Sequence, residues 1–236
     1  MQIVLETENL YRLTRFGVFN SFLVREGSAF TLVDTNFPGS ATAILQVART
    51  LGAPITRIAL THAHFDHVGS LDELTRVLPD VEVSIATREA RLLHGDFSLD
   101  PGETGKPFFG FKKVTTRAHR LLNDGDHVGS LRAVACPGHT PGHMAFLDER
   151  DNSLLAGDSY VTQTGVIAAG VFSVFFPMPA WFSWNPVCSA RSAAKLAALK
   201  PTRLAVGHGK TIVSPGAQMD RAVEMAFRQH PDARLT

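Results

Sequence analysis

Cysteine is scarce in this 236-residue chain: Cys136 and Cys188 are too few for a disulfide framework, which fits a reducing compartment and leads us to expect a cytoplasmic protein. Net charge is scarce as well. Lys and Arg number 23 against 22 Asp and Glu, so the formal charge is +1 and gives no ground for a basic nucleic-acid face or an acidic tail. Charged residues make up 19% of the chain, below the roughly 25% of an average globular protein. That argues against disorder and for a well-covered interior or an apolar contact surface. Met1 to Glu8 carry neither the basic nor the apolar region of a signal peptide, so none is expected. Residues 159–190 contain no charge at all, and Gly165 to Phe182 is long enough to hint at a membrane span, but Pro177 and Pro179 interrupt it, so no membrane partner is expected. What the chain has in excess is histidine, ten residues unevenly placed.

Apolar runs and turn residues divide the chain into short elements. Tyr11–Leu13, Val18–Val24 and Ala29–Val33 read as strands, broken by Arg15-Phe16-Gly17 and Glu26-Gly27-Ser28. Pro38-Gly39-Ser40 opens a helix with Ile44, Val47, Ala48 and Leu51 on one face, ended by Gly52. Arg57–Thr61 is short and mostly apolar, as a buried central strand is. A helix over Asp66–Leu78, a strand over Val81–Ala86 and a short helix over Thr87–Leu93 follow. Residues 95–115, with Gly95, Pro101, Gly102, Gly105, Pro107 and Gly110, form a long irregular insertion. Four strands come next, over Ala118–Leu122, Leu131–Cys136, His143–Leu147 and Ser153–Ala156, and Arg203–Val206 is a further one. Helices are expected over 186–199 and 215–228, the second with the apolar stripe Met219, Ala222, Val223, Ala226 and Phe227. Interspersed strands and helices imply a layered α/β fold with helices outside, and nothing marks a boundary within the single domain 1–236.

The densest signal is Thr61-His62-Ala63-His64-Phe65-Asp66-His67, placed after the buried strand and before a helix. In extended backbone His62 and His64 point to the same side, and the chain then turns so that Asp66 and His67 aim at a neighbouring point. Four ligand-type side chains within six residues are costly to bury unless something satisfies them, and a divalent cation does so. Three more elements end in a ligand type beside glycine: Gly138-His139, Gly157-Asp158 and Gly207-His208. Each follows a strand, and ligands converging on one rim of a sheet are how α/β layers build sites.

The succession His-x-His-x-Asp-His, Gly-His, Gly-Asp and His resembles the metallo-β-lactamase superfamily through nearly the whole chain. The resemblance implies a four-layer αββα sandwich with a binuclear centre between the sheets. It implies that His62, His64 and His139 hold one ion, that Asp66, His67 and His208 hold the other, and that Asp158 bridges them. The all-N and O ligand set suits two zinc ions and leaves iron or manganese open. The implied chemistry is hydrolysis of a small ester, lactone or thioester by a water activated between the ions, with Asp66 as the catalytic proton carrier. A mononuclear iron persulfide dioxygenase and a non-catalytic metal-stabilised fold are the alternatives.

Among branches of the superfamily, class B β-lactamases lack the bridging Asp, and nucleic-acid-processing members carry large insertions or an exosite. Glyoxalase II proteins follow the bridging Asp with a glycine- and cysteine-rich segment, where this chain has Ser159-Tyr-Val-Thr-Gln, and flavodiiron proteins add a flavodoxin domain. Quorum-quenching lactonases are closer and often place a Tyr three residues after that Asp; Val161 stands there, with Tyr160 one residue short. His94, His119, His127 and His230 read as surface or turn residues. His127 is the notable case, because Asp126–Leu131 repeats Asp66–Leu71 word for word, yet sits in a hairpin-like turn and is expected to hold no metal. His143 reads as a structural histidine, with support of a neighbouring ligand as the other reading; Asp34 reads as a hydrogen-bond acceptor and Cys136 as an inert buried thiol. Within the uncharged segment, Phe172, Phe175, Phe176, Trp181, Phe182 and Trp184 form a lid or wall for a small-molecule substrate with an apolar arm, a homodimer contact, or ordinary core.

Overall fold

A computed structural model describes residues 1–106, 110–174 and 176–234. Two sheets lie face to face. The first has seven strands in sequential order: β1 (Gln2–Thr7), β2 (Leu10–Arg15), β3 (Phe19–Glu26), β4 (Ala29–Val33), β5 (Ile55–Leu60), β6 (Glu82–Ala86) and β7 (Arg120–Leu122). β1 to β4 pair antiparallel; β4 to β7 pair parallel. The parallel crossovers carry α1 (Ala41–Thr50), α2 (Phe65–Val68), α3 (Leu71–Val77) and α4 (Thr87–Leu93).

The second sheet uses β8 (His127–Val128), β9 (Leu131–Ala135), β10 (Met144–Asp148) and β11 (Ser153–Leu155). β12 (Tyr160–Val161) and β13 (Ile167–Ala168) form a separate small pair. After α5 (Met178–Trp181) and α6 (Pro186–Ala198), β14 (Arg203–Ala205) joins β11 in parallel, and β15 (Ile212–Val213) closes that edge before α7 (Gly216–Gln229). The second sheet therefore runs β15-β14-β11-β10-β9-β8.

The period of two along each strand produces the layers. On β5, Ile58 and Leu60 face α1 and α3 while Ala59 faces the other sheet; on β10, Ala145 and Leu147 face α6 and α7 while Phe146 faces inward. Three apolar layers result: β-sheet on α1, α3 and α4; sheet on sheet, with Phe22, Val24, Ala133 and Phe146; and sheet on α6 and α7. This is the expected four-layer αββα sandwich.

One expected helix divides. Instead of a continuous helix over 66–78, α2 stops at Val68 and α3 starts at Leu71. Gly69 is pressed against the 37–40 turn, where an added Cβ would lie 2.5 Å from Pro38 N, and Ser70 Oγ accepts from Ser40 N–H and donates to Phe37 O. The tertiary contact overrides helix continuation. β1 lies within residues 1–35, which read as strands, though outside the three runs singled out there; it is an edge strand whose Ile3 and Leu5 face solvent. Pro107 of the insertion lies outside the described residues. Among the described residues no helix is long and apolar enough to cross a membrane.

Candidate metal centre

Strands β5, β9, β11 and β14 all end at one rim of the sandwich, and the four ligand-type segments follow those ends. The chain bends at Thr61 on leaving β5, is extended at His64 with ψ 149°, and turns directly into α2. Met144 N–H, at the start of β10, donates to Thr61 O and ties the two sheets beside the site. Gly207 is required by proximity: a Cβ there would stand 2.1 Å from Asp158 Oδ1. Gly157, at φ +51°, lets the chain turn so that Asp158 enters the rim against the ring of His143.

The seven expected site residues meet. His64 Nδ1 lies 3.0 Å from His62 Nε2 and 2.9 Å from His139 Nε2, and the three nitrogens form one group. Asp66, His67 and His208 form another, with His208 Nε2 3.1 Å and His67 Nε2 3.8 Å from Asp66 Oδ2. Asp158 stands between the groups and forms a third with His62 and His67. Its Oδ2 is 3.1 Å from His208 Nε2 and 3.5 Å from His139 Nε2, and its Oδ1 is 3.3 Å from His67 Nε2. All seven side chains are buried except His208, which is partly so.

Hydrogen bonds fix which ring atoms face the centre. Thr61 Oγ1 donates to Asp34 Oδ2 at 2.8 Å, so it accepts from His62 Nδ1–H and leaves the Nε2 lone pair for the group of three. His67 Nδ1–H donates to the same Asp34 oxygen at 2.7 Å, turning His67 Nε2 toward Asp158. Asp34 also accepts the Thr61 N–H at 2.8 Å, and it does so from the left-handed region at φ +59°. It is an acceptor, as expected, and has no atom in either group.

The electrostatics of the two groups differ. Burial brings His64 down to about 4 and holds His62 and His139 well below the usual histidine range, so all three present neutral lone pairs near pH 7. Burial also disfavours charge in the second group, but there the carboxylates prevail. Asp158 and Asp66 lift His208 to about 10, Asp158, Asp34 and Asp66 lift His67 well above its ordinary value, and the imidazolium of His67 pulls Asp66 to about 2.

The donor set fits metal ions. Buried His67 Nε2 and Asp158 Oδ1 have no hydrogen-bond partner among the described residues although they lie 3.3 Å apart, and such orphaned atoms are costly in an interior. Imidazole nitrogen and carboxylate oxygen are ligands that divalent cations satisfy.

The remaining histidines separate from the centre. His127 is half-exposed on β8, a strand rather than a turn, and contacts Glu149 Oε2 at 3.0 Å. His119 Nδ1 accepts the Val83 N–H, His230 Nε2 donates to Gly170 O, and His94 caps α4. His143 does more than a plain structural histidine: its buried Nε2 accepts the Asp158 N–H at 3.1 Å, and its Nδ1 lies 3.1 Å from Cys136 Sγ. Cys136 is buried and its thiol is pushed up to about 12, which leaves it without thiolate character. Tyr160 turns away from the centre, its hydroxyl donating to Ala193 O at 2.7 Å.

A cavity of about 280 Å³ opens on the centre, with His64, Asp66, His139, Asp158 and His208 as its floor. Its wall is apolar and includes Val18, Phe19 and Phe65 on one side and Val161, Phe176, Met178, Pro179 and Phe182 on the other. Of the six aromatics between Phe172 and Trp184, Phe176 and Phe182 line this cavity. Trp181 is 60% exposed and Phe172 half-exposed, Trp184 is buried against Gly105, and Phe175 lies outside the described residues. The wall residues from the β2–β3 turn, Val18 and Phe19, had no chemical signal in the sequence, since their place depends on tertiary contact. Glu89, a buried carboxylate beneath the site, was also missed. It shares a helix face with Leu92 and Leu93, and an acid on an apolar face is a signal that could have found it.

A family profile described as the metallo-beta-lactamase superfamily matches residues 14–208. The chain belongs to the metallo-beta-lactamase superfamily. Within it, the chain is 42% identical over 228 residues to YobT of Bacillus subtilis, covering 94% of this chain and 98% of YobT. It is 31% identical over 225 residues to the same organism's YflN, described as a probable metallo-hydrolase, covering 87% of this chain and 84% of YflN. A solved structure of the DIM-1 metallo-beta-lactamase aligns over 97% of both chains with a TM-score of 0.71 at 17% identity, a likeness of fold. A metallo-beta-lactamase sandwich with His and Asp groups able to hold metal at its rim is thus the frame for the chemistry.

Proposed function

We propose that this protein is a binuclear metal-dependent hydrolase that cleaves a small ester, lactone or thioester carrying an apolar arm. The carrying observation is the placement of Asp158 between two groups of three ligand-type side chains at the floor of an apolar cavity. In this reading His62, His64 and His139 would hold one ion and Asp66, His67 and His208 the second, with Asp158 shared between them. Zinc suits these ligands best, with iron and manganese as chemically compatible substitutes. When bound, such a pair supplies Lewis acidity and a water deprotonated near neutral pH.

The chain's own residues do the rest. Asp34 holds His67 and, through Thr61, His62 in the orientation that presents Nε2. Asp66 lines the cavity, ionised, and serves to carry a proton to the leaving group. Phe176 and Phe182 exclude water and seat the arm. Among the described residues the lining holds no Lys or Arg, which favours an uncharged arm.

The test is a homologous series of lactones, esters and thioesters. Turnover should vanish with a chelator and return with a divalent ion. The value of kcat/KM should rise by up to about fourfold per added methylene, the equivalent of ~0.8 kcal/mol of apolar burial. Phe176→Ala should flatten that slope with metal content unchanged, whereas Trp181→Ala, outside the lining, should not. A flat series in the parent protein would remove the apolar-arm reading, and full turnover in metal-free protein would remove the hydrolase mechanism. If the segment is instead a dimer contact, Trp181→Ala will shift the protein toward monomer on a sizing column with the slope preserved.

A further inference from the structure

Glu89, in the first turn of α4, is fully buried and belongs to neither ligand group. Its Oε2 accepts the Ala63 N–H at 3.0 Å, and its Oε1 accepts the Gly142 N–H at 2.9 Å. Ala63 is the residue between His62 and His64; Gly142 lies in the loop that carries His139 and leads into His143. One carboxylate thus joins two loops from different sheets. Gly142 is shaped for this contact: a Cβ there would lie 2.7 Å from Glu89 N and from Arg88 Cβ.

The arrangement is costly. Among the described residues no cation pairs with Glu89, because neighbouring Arg88 is turned to Glu103 at 2.8 Å. Burial pushes the Glu89 carboxyl up to about 7 even though the Thr140 side chain and the two N–H bonds favour its ionised form. An apolar residue would fill the same interior position at less expense, so the acid's presence points to what it holds.

We infer that Glu89 is a positioning residue that clamps the His62–His64 segment to the His139 loop and so sets the geometry of the first ligand group. The inference rests on the metal-centre reading given under Proposed function. It is selective. Among the described residues no hydrogen bond or ion pair joins Glu89 to Asp66, His67 or His208, and His67 is oriented by Asp34. Loosening the clamp therefore weakens one ion and spares the other. Glu89→Gln is the sharp variant, because an amide has one acceptor oxygen and sets its NH2 against the second N–H donor.

The experiment is a cobalt(II) titration of metal-free parent, Glu89→Gln and Glu103→Gln proteins, followed by visible absorbance. Outer partners of ligands typically contribute about 10–100-fold to affinity, so one of the two cobalt affinities should fall by that factor in Glu89→Gln. The other should stay within about threefold, and Glu103→Gln should match the parent. Two unchanged affinities, or two that fall by the same factor, overturn the clamp. A parent that takes up no cobalt overturns the metal-centre reading and the clamp with it. Should Glu89→Gln fail to fold, amide exchange in the parent decides. Zinc binding should slow the Ala63 and Gly142 amides at least about tenfold, since coupling between clamp and metal is reciprocal. Exchange unaltered by zinc would overturn the inference.

Discussion

Asp158→Ala should lose at least one metal ion per chain and at least about a hundredfold in turnover. The side chain reaches both ligand sets, through Oδ1 toward His67 Nε2 at 3.3 Å and through Oδ2 toward His139 and His208. If removing an outer partner costs about 10–100-fold in affinity or activity, removing a bridging ligand costs more. The Asp158 N–H bond to His143 is a backbone contact and survives the substitution, so the loop keeps its path. Elemental analysis beside a steady-state assay measures both effects. A variant that retained two ions and parental turnover would leave Asp158 without the bridging role.

The repeated hexapeptide supplies a second large contrast. His67→Ala should abolish turnover and metal at the second group, because the ring links Asp34 on one side to the Asp66, His208 and Asp158 cluster on the other. His127→Ala, in the identical sequence context, should leave both unchanged, since its half-exposed ring pairs with the exposed Glu149 and a surface pair of that kind contributes little. Equal loss in the two variants would mean that the second copy had been misread.

The contrast shows why parts of this protein can be read from its residues and others cannot. His62, His64, Asp66 and His67 are near in sequence, and buried ligand-type side chains at that density require a common partner. β5, β10 and β14 announce themselves because short apolar runs between turns have few other solutions in a layered fold. The break between α2 and α3 carries no such local signal, because Gly69 and Ser70 are acceptable inside a helix until Pro38 and Ser40 pack against them. The cavity wall is likewise tertiary: Phe176 and Trp181 are alike in chemistry, and only the path of the chain around α5 turns one toward the centre and the other to solvent. His143 illustrates the middle case. Its spacing from His139 marked it as a neighbour of the site, whereas its bond to the Asp158 N–H depends on where β11 ends.

The central claim is that two ligand groups act as a pair across Asp158. Counting metal per chain in protein purified without added metal and then loaded to saturation, with turnover followed as each equivalent is added, tests it most directly. Two ions per chain are expected, with activity that requires the second equivalent. Full turnover at one ion per chain, unchanged by a second, would contradict it.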